Sequence, residues 1–321
     1  MKGDLERRIR SIASRLDGTL GVYVHALGTG EQVTVHADQP FPMASVFKVP
    51  ILAELLCRVH AGGRSLEERV MLTDEMKSPG SGVLKEMSAG TAVTVGDLAT
   101  LMIIVSDNTA TDILLARLTK EAVNARLRAC GLDRTTVALD CRELLYELVG
   151  LGGVPAGPET RRLATERLRR RELDPHSRVY HDESVNMTTP REMGRLLDQV
   201  ARAAYGLGTV QGPLSSEVCR GMLATMGRQQ VRNRLPLLFP PGAELAHKTG
   251  SLHRVSNDVG ILTTPRGPCV VAVFGKDLGD DLKGQMAIAR VGLAVYEAFG
   301  GTGKRRSVAR PANTKVVRAG R

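Results

Sequence analysis

At 321 residues, with 42% hydrophobic and 24% charged side chains, the chain suits two closely packed subdomains better than one simple core. A formal charge of +10 would favour a polyanionic partner, but the tail GTGKRRSVARPANTKVVRAGR (301–321) supplies seven of those charges and no acid. That tail reads as a basic, disordered extension, and with 3% aromatics and no Trp the rest offers no stacking platform, which excludes specific nucleic-acid binding.

The N-terminal stretch MKGDLERRIRSIASRLDG predicts an amphipathic helix, with Leu5, Ile9, Ile12 and Leu16 on one face. It lacks the apolar core of a signal peptide, which places the chain as numbered in the cytoplasm, or outside it if a leader has been removed. No run comes near the ~18 consecutive apolar residues of a membrane span. GTLGVYVHAL and EQVTVHAD predict two strands joined at Gly28-Thr29-Gly30. A helix is predicted over 45–61, and further helices over 95–129, broken at Ser106-Asp107-Asn108. From 142 to 186 the texture changes to a loop-like segment holding a basic helix at 159–173. MTTPREMGRLLDQVARAA predicts a helix with Thr188 or Thr189 as its cap and Pro190 in its first turn. Another helix follows at 215–226; then come three strands (GAELAHKTGSL, NDVGILTT, CVVAVFGKD) and a closing helix at 281–299.

Strands thus lie at both ends of the chain and helices fill its middle. Without crossover helices between them, the strands predict an antiparallel sheet. The expected fold is α/β, a five-stranded antiparallel sheet flanked by helices and packed against an all-α domain. The sheet domain would take 1–42 and 200–300, the helical one 43–199, with a cleft between them for chemistry. Five scattered cysteines without a CxxC pair read as free thiols, and no His/Cys cluster predicts a metal or another cofactor.

Three short motifs bear on chemistry. In MASVFKVPIL, Ser45 and Lys48 lie three residues apart inside an apolar run. A serine needs a base to become a nucleophile, and burial can lower a lysine's pKa enough to provide one. Taken alone, the edge of an amphipathic helix is the plainer reading. In VSDNTATDILL, Ser106 could relay a proton and Asn108 grip a carbonyl, although Ser, Asp and Asn are also ordinary helix caps. In HKTGSL, Lys248, Thr249 and Ser251 offer a positive field and hydrogen bonds to a carboxylate, while Gly250 permits close approach. The Ser251 and Ser45 N–H groups could form an oxyanion hole. A strand edge with its lysine in solvent would explain the same residues.

The ordered set SxxK, SDN, KTG is more specific than its parts. With FPMASVFK, LMIIVSDNTATDILL, NMTTPREMGRLL and HKTGS…SNDVGIL around it, the chain resembles the class A β-lactamase family, penicillin-binding-protein-like serine hydrolases, over roughly residues 4–299. The resemblance implies Ser45 as acylated nucleophile, Lys48 as proton acceptor, Ser106 as proton relay and Asn108 as substrate clamp. It also implies Lys248, Thr249 and Ser251 as the carboxylate and oxyanion region.

Hydrolysis of the acyl-enzyme needs a further glutamate to activate water. LDCRELLYE puts Glu143 in register for it, and Glu183 in YHDESVN is the second candidate. Glu147 replaces the family's asparagine, which predicts a second carboxylate near the base. Cys141 and Asn186 replace the loop's usual arginine–aspartate pair, and the loop 142–186 is enlarged by about 30 residues, beyond the usual length of a structureless connection. Asn257 sits near the place of an arginine that many members carry, leaving Arg234 or Arg254 to meet a substrate carboxylate. The expected function is a serine β-lactamase that hydrolyses the β-lactam amide through a Ser45 acyl-enzyme. The alternatives are a related serine hydrolase acting on another amide or ester or on a D-alanyl peptide, and a β-lactam binder with little turnover.

Overall fold

The structure is a computed structural model, and it describes residues 2–208 and 212–300; the predicted basic tail lies outside these residues. In chain order the elements are α1 (Lys2–Ser14), β1 (Thr19–Ala26), β2 (Glu31–Val35) and β3 (Phe41–Pro42), then a 3₁₀ turn (Ala44–Phe47) leading into α2 (Lys48–His60). Next are β4 (Arg69–Met71), β5 (Ala92–Thr94), α3 (Val95–Ile104), α4 (Asn108–Leu118), α5 (Lys120–Ala129), α6 (Cys141–Leu148) and α7 (Pro158–Arg170). β6 (Met187–Thr188), α8 (Pro190–Tyr205), α9 (Ser216–Met226), β7 (Leu245–Leu252), β8 (Val255–Leu262), β9 (Cys269–Lys276) and α10 (Asp281–Phe299) complete the order.

The five-stranded sheet runs β2-β1-β9-β8-β7 and is antiparallel throughout. Both faces are covered, so β8 is buried along its whole length and reads without alternation. The period of two survives in β1: Val22 and Val24 point to one face, with Leu5, Ile9, Ile288 and Val291 of α1 and α10. Tyr23 points to the other face, into the large core that the sheet shares with α2, α3, α4, α8 and α9. α8 starts where Thr189 caps it and Pro190 occupies the first turn, and stops where Gly206 turns left-handed at φ +66°.

Residues 45–61 do not form one helix. A 3₁₀ turn covers Ala44–Phe47 and the α-helix starts only at Lys48, with Pro50 inside its first turn. Proline is tolerated there because its missing N–H would have had no partner. The 3₁₀ geometry has a consequence for chemistry, since it eclipses side chains at i and i+3. Ser45 and Lys48, three residues apart, thereby start from the same side of the turn. Val49, Ile51, Leu52 and Leu55 of α2 are all buried, each contributing roughly 1.5–3 kcal/mol of apolar burial. Lys48 shares that environment with no exposed surface, at a desolvation cost that its hydrogen bonds offset in part.

The enlarged loop contains the predicted helix as α7, bounded by Pro158 at its start and a left-handed Arg171 at its end. α7 is polar almost all round; only Ala164 is fully buried, in a small cluster with Tyr146, Val149 and Leu151. It packs on the outer side of α6, and Arg161 donates to the Asp74 and Lys77 carbonyls. None of α7's residues lines the catalytic cleft.

Candidate active site

A cleft of about 340 Å³ opens between the 3₁₀ turn, the 80–81 and 105–108 turns, α6 and β7. Ser45, Ser106, Asn108, Thr249 and Ser251 line it. Lys48 and Lys248 lie directly beneath the floor, each with no solvent-exposed surface. Two of the described non-glycine residues with positive φ hold this geometry: Ala44 at +45°, just before the serine, and Ser106 at +58°. Such conformations cost about 1–3 kcal/mol each and persist only where the surroundings enforce them.

The surroundings are specific. Asp107 caps α4 through the Ala110 N–H and also accepts the Val83 and Leu84 N–H groups at 2.6 and 2.9 Å, which pins the turn carrying Ser106. So the capping role open to this motif belongs to Asp107, and Ser106 and Asn108 face the cleft. On the opposite wall, a Cβ at Gly250 would lie 2.7 Å from Met43 O and 3.2 Å from Ser45 N. Glycine lets β7 pass this close to the Ser45 backbone. Asn257 on β8 clamps the same segment by donating to Pro42 O and Met43 O.

Lys48 Nζ donates to Ser106 O (2.8 Å), Ser106 Oγ (3.1 Å) and Asn108 Oδ1 (2.8 Å). Lys248 Nζ donates to Ser106 Oγ (3.0 Å) and Thr249 O (2.7 Å). The Ser106 oxygen therefore takes a hydrogen bond from each lysine, and with both lone pairs occupied its single proton is left for another acceptor. Burial lowers the Lys48 pKa, with Cys141, Asp112 and Asp107 pulling the other way. Lys248 falls well below the ordinary lysine value through burial, then through Lys48 and Arg234. Asn108 is committed on both ends of its amide, since Nδ2 donates to Pro79 O at 2.9 Å.

Arg234, in the segment before β7, is buried and donates to Ser251 Oγ and to Asn257 O. It has no carboxylate in ion-pair contact among the described residues. Arg254 lies elsewhere, in the β7–β8 turn, lining a different cavity.

The two candidate bases are not brought to the cleft. Asp140 caps α6 by accepting the Glu143 N–H at 2.7 Å, and the Glu143 carboxylate returns to the Asp140 N–H at 2.7 Å and to Lys120 at 2.5 Å. Glu183 is exposed and pairs with Arg134 at 3.7 Å. Glu147, one turn further along α6, meets Arg178 through its carboxylate at 2.9 Å. Where the helix faces the cleft it presents Cys141, Leu144 and Leu145, and none of the lining residues is Asp or Glu.

Several site residues carry no motif of their own. Ser81 donates to Ser106 O at 2.7 Å and lies in the PGSG turn, whose glycines are its only sequence signal. Asp112, read as part of α4, lies buried under the loop and accepts Ser78 Oγ at 2.5 Å and the Cys141 and Arg142 N–H groups at 2.7 and 3.1 Å. Its carboxyl is pushed up to about 7, first by burial and then by Asp140. Asn186 takes over the loop's missing ion pair: Oδ1 accepts the Ala138 and Leu139 N–H groups and Nδ2 donates to Leu139 O. The five cysteines are all free.

A nucleophile-bearing turn, two buried lysines sharing one hydroxyl, and a glycine-thinned strand on an antiparallel sheet together define a serine hydrolase of the β-lactamase kind. The family model described as "Beta-lactamase enzyme family" matches residues 4–299, and the chain belongs to that family. A β-lactamase of Streptomyces lavendulae is 30% identical over 310 residues, which are 92% of this chain and 87% of that protein. Among solved structures, an ancestral class A β-lactamase superposes with TM-score 0.72 at 27% identity, covering 92% of this chain and 100% of that one. A leucine-to-glutamate mutant of PBP-A, solved as an acyl-enzyme complex with penicillin G, superposes with TM-score 0.72 at 27% identity, covering 92% and 96%. No helix among the described residues is long and apolar enough to cross a membrane.

Proposed function

We propose that this protein is acylated at Ser45 by β-lactams and releases the acyl group slowly. The observation that carries this reading is the Ser106 hydroxyl held between Lys48 and Lys248 at 3.1 and 3.0 Å. In its neutral form Lys48 has a lone pair to take the Ser45 proton, and its burial favours that form. Ser45 Oγ then attacks the lactam carbonyl, and the Ser45 and Ser251 N–H groups receive the oxyanion. The ring C–N bond breaks as the Ser106 O–H delivers its proton to the departing nitrogen, and that proton is replaced through Lys48. Lys248, Thr249 and Arg234 form the field for the substrate carboxylate, and Asn108 lines the opposite wall beside the acyl group.

The second half of turnover is less well provided. Water attack on an ester of Ser45 calls for a base, and the wall where one is needed is made of Cys141, Leu144 and Leu145. Glu143 would have to leave both Asp140 and Lys120 to reach it. This supports a hydrolase limited by deacylation, close to the binder with little turnover, for β-lactams or for related amides such as D-alanyl peptides. The test mixes the protein with a chromogenic cephalosporin and follows absorbance and intact mass together. A burst of one equivalent, a Ser45 adduct and a slow steady phase are expected. Steady turnover without an accumulating adduct would assign a working base to the loop, and the absence of any reaction would point to a non-β-lactam substrate.

A further inference from the structure

A second cavity, of about 250 Å³, lies where the end of the enlarged loop meets the β7–β8 turn and the end of β9. The loop contributes Arg171 and Tyr180, the turn Arg254, and the strand end Lys276 and Asp277. It is separated from the catalytic cleft by the small cluster of Leu139, Leu144, Leu148 and Val179, against which Tyr180 and Leu252 pack.

Its charge is unusual for this protein. Arg171, Arg254 and Lys276 make no ion pair among the described residues, whereas Arg178 and Arg191 each hold a carboxylate. Lys276 Nζ donates to Pro40 O at 2.9 Å and stands 4.9 Å over the Phe41 ring, leaving two of its donors free. Arg254 donates from its guanidinium only to Asp277 O, at 3.4 Å. The nearby Asp281 is engaged by the Arg254 backbone N–H and stands 3.8 Å from His253. Three cations therefore face one lining carboxylate, Asp277. The Tyr180 hydroxyl is buried with no hydrogen-bond partner among the described residues. The remaining wall is apolar at Pro42, Leu173, Pro175 and Val255, with His253 the one further polar lining residue.

The backbone carries an independent mark. Arg171, Arg254 and Asp277 have φ of +56°, +60° and +56°, three of the eight described non-glycine residues in the left-handed region. A side chain there costs about 1–2 kcal/mol relative to glycine. The other two such residues beside a cavity are Ala44 and Ser106, of the catalytic cleft. Both conformations suit their places, Arg171 ending α7 and Arg254 turning β7 into β8, where glycine would be easier than a long cationic side chain.

We propose that this cavity binds a small organic dianion with an apolar body, the two anionic groups taken by Arg171, Arg254 and Lys276. The volume lies just below the usual range of small-molecule sites and admits roughly ten to twelve non-hydrogen atoms, the size of a compact aromatic dicarboxylate. The apolar wall takes the body, and a dianion balances three cations against Asp277. The assignment does not depend on the catalytic reading, because no residue of the site belongs to the acylation machinery.

Phthalate is the probe, with inorganic phosphate and the neutral phthalamide for comparison, titrated calorimetrically into the full chain at low and at 150 mM salt. Saturable one-to-one phthalate binding is expected, at least tenfold tighter than phosphate, with none for phthalamide. Arg171→Gly and Arg254→Gly should each weaken it by roughly tenfold or more, as the loss of one charge-assisted hydrogen bond implies. Both variants fit their backbone conformation, so thermal melts should show them as stable as the parent. Arg234→Ala, in the catalytic cleft, should leave phthalate binding in place. The proposal is overturned if phthalate does not saturate, if phosphate binds as tightly, or if binding survives the glycine variants and disappears with Arg234→Ala.

Discussion

The two walls of the catalytic cleft are built to different standards. On the wall of Ser45, Ser106 and β7, Lys48, Lys248, the Ser106 hydroxyl and the Asn108 amide each have two or three named partners, and two non-glycine residues are kept at positive φ. On the wall formed by α6, the carboxylates turn outward to a helix cap and to surface cations, and cysteine and leucine face the cleft. On the proposed function, acylation and deacylation are separable, because the groups for one are preorganised and the groups for the other are spent on holding the loop.

The largest effect expected from breaking that contrast is on the preorganised side. Lys48→Ala should slow acylation by a factor of roughly 10²–10⁴, the usual weight of a positioned base, in single-turnover mass measurements. The fold should tolerate the change, since Ser81 still donates to Ser106 O and Asn108 Oδ1, and Lys248 to Ser106 Oγ. Wild-type acylation should accelerate as pH rises through the depressed Lys48 pKa; a rate independent of pH would argue against the lysine as base.

Giving the other wall a carboxylate should sharpen the contrast. The end of the Leu145 side chain and the Asn108 amide both lie close to Gly80, and both line the cleft at the edge of the acyl group's expected place. Leu145→Glu should raise steady-state hydrolysis by about 10-fold or more while leaving the acylation burst unchanged. An unaltered steady phase would place the missing function somewhere else in the loop.

A smaller effect concerns how the loop is pinned. Asp112 has a folded pKa of about 7, above its unfolded value, so between about pH 4 and 7 the folded protein binds the extra proton. Its contribution to stability therefore falls as pH rises through that window and levels off above it. Relative to Asp112→Asn, the wild type should lose on the order of 2 kcal/mol across the window in denaturant titrations. Parallel pH profiles for the two proteins would remove Asp112 from the account. Smallest of all, Glu143→Gln should cost only about 0.5 kcal/mol, from a weakened cap and an exposed ion pair, with turnover within twofold. Accumulation of acyl-enzyme in that variant beyond the wild-type level would restore Glu143 as the base.

How much of this could be read from the residues follows the same division. The antiparallel sheet was legible because strands without crossovers leave few arrangements, and the cap at Thr189 because Thr-Pro starts a helix. SxxK, SDN and KTG were legible because each function needs those side chains at that spacing. LDCRE was ambiguous for a physical reason: Asp-x-x-Glu is both the family's base-bearing register and a helix capping box, and the same four residues cannot serve both at once. Geometry selected the box. Likewise an amide at Asn186 replaces an ion pair without leaving a recognisable pattern, and the cation cavity draws on Arg171, Arg254 and Lys276 from three distant segments. No spacing in the sequence announces either.

The central claim is the inequality between the two chemical steps. Its most direct test is a quench-flow time course with benzylpenicillin, in which peptide mapping quantifies the Ser45 adduct during and after exposure to the drug. The account predicts one adduct per chain, located on Ser45, formed at least tenfold faster than it is lost. Loss as fast as formation, or an adduct that persists in Ser45→Ala, would contradict it.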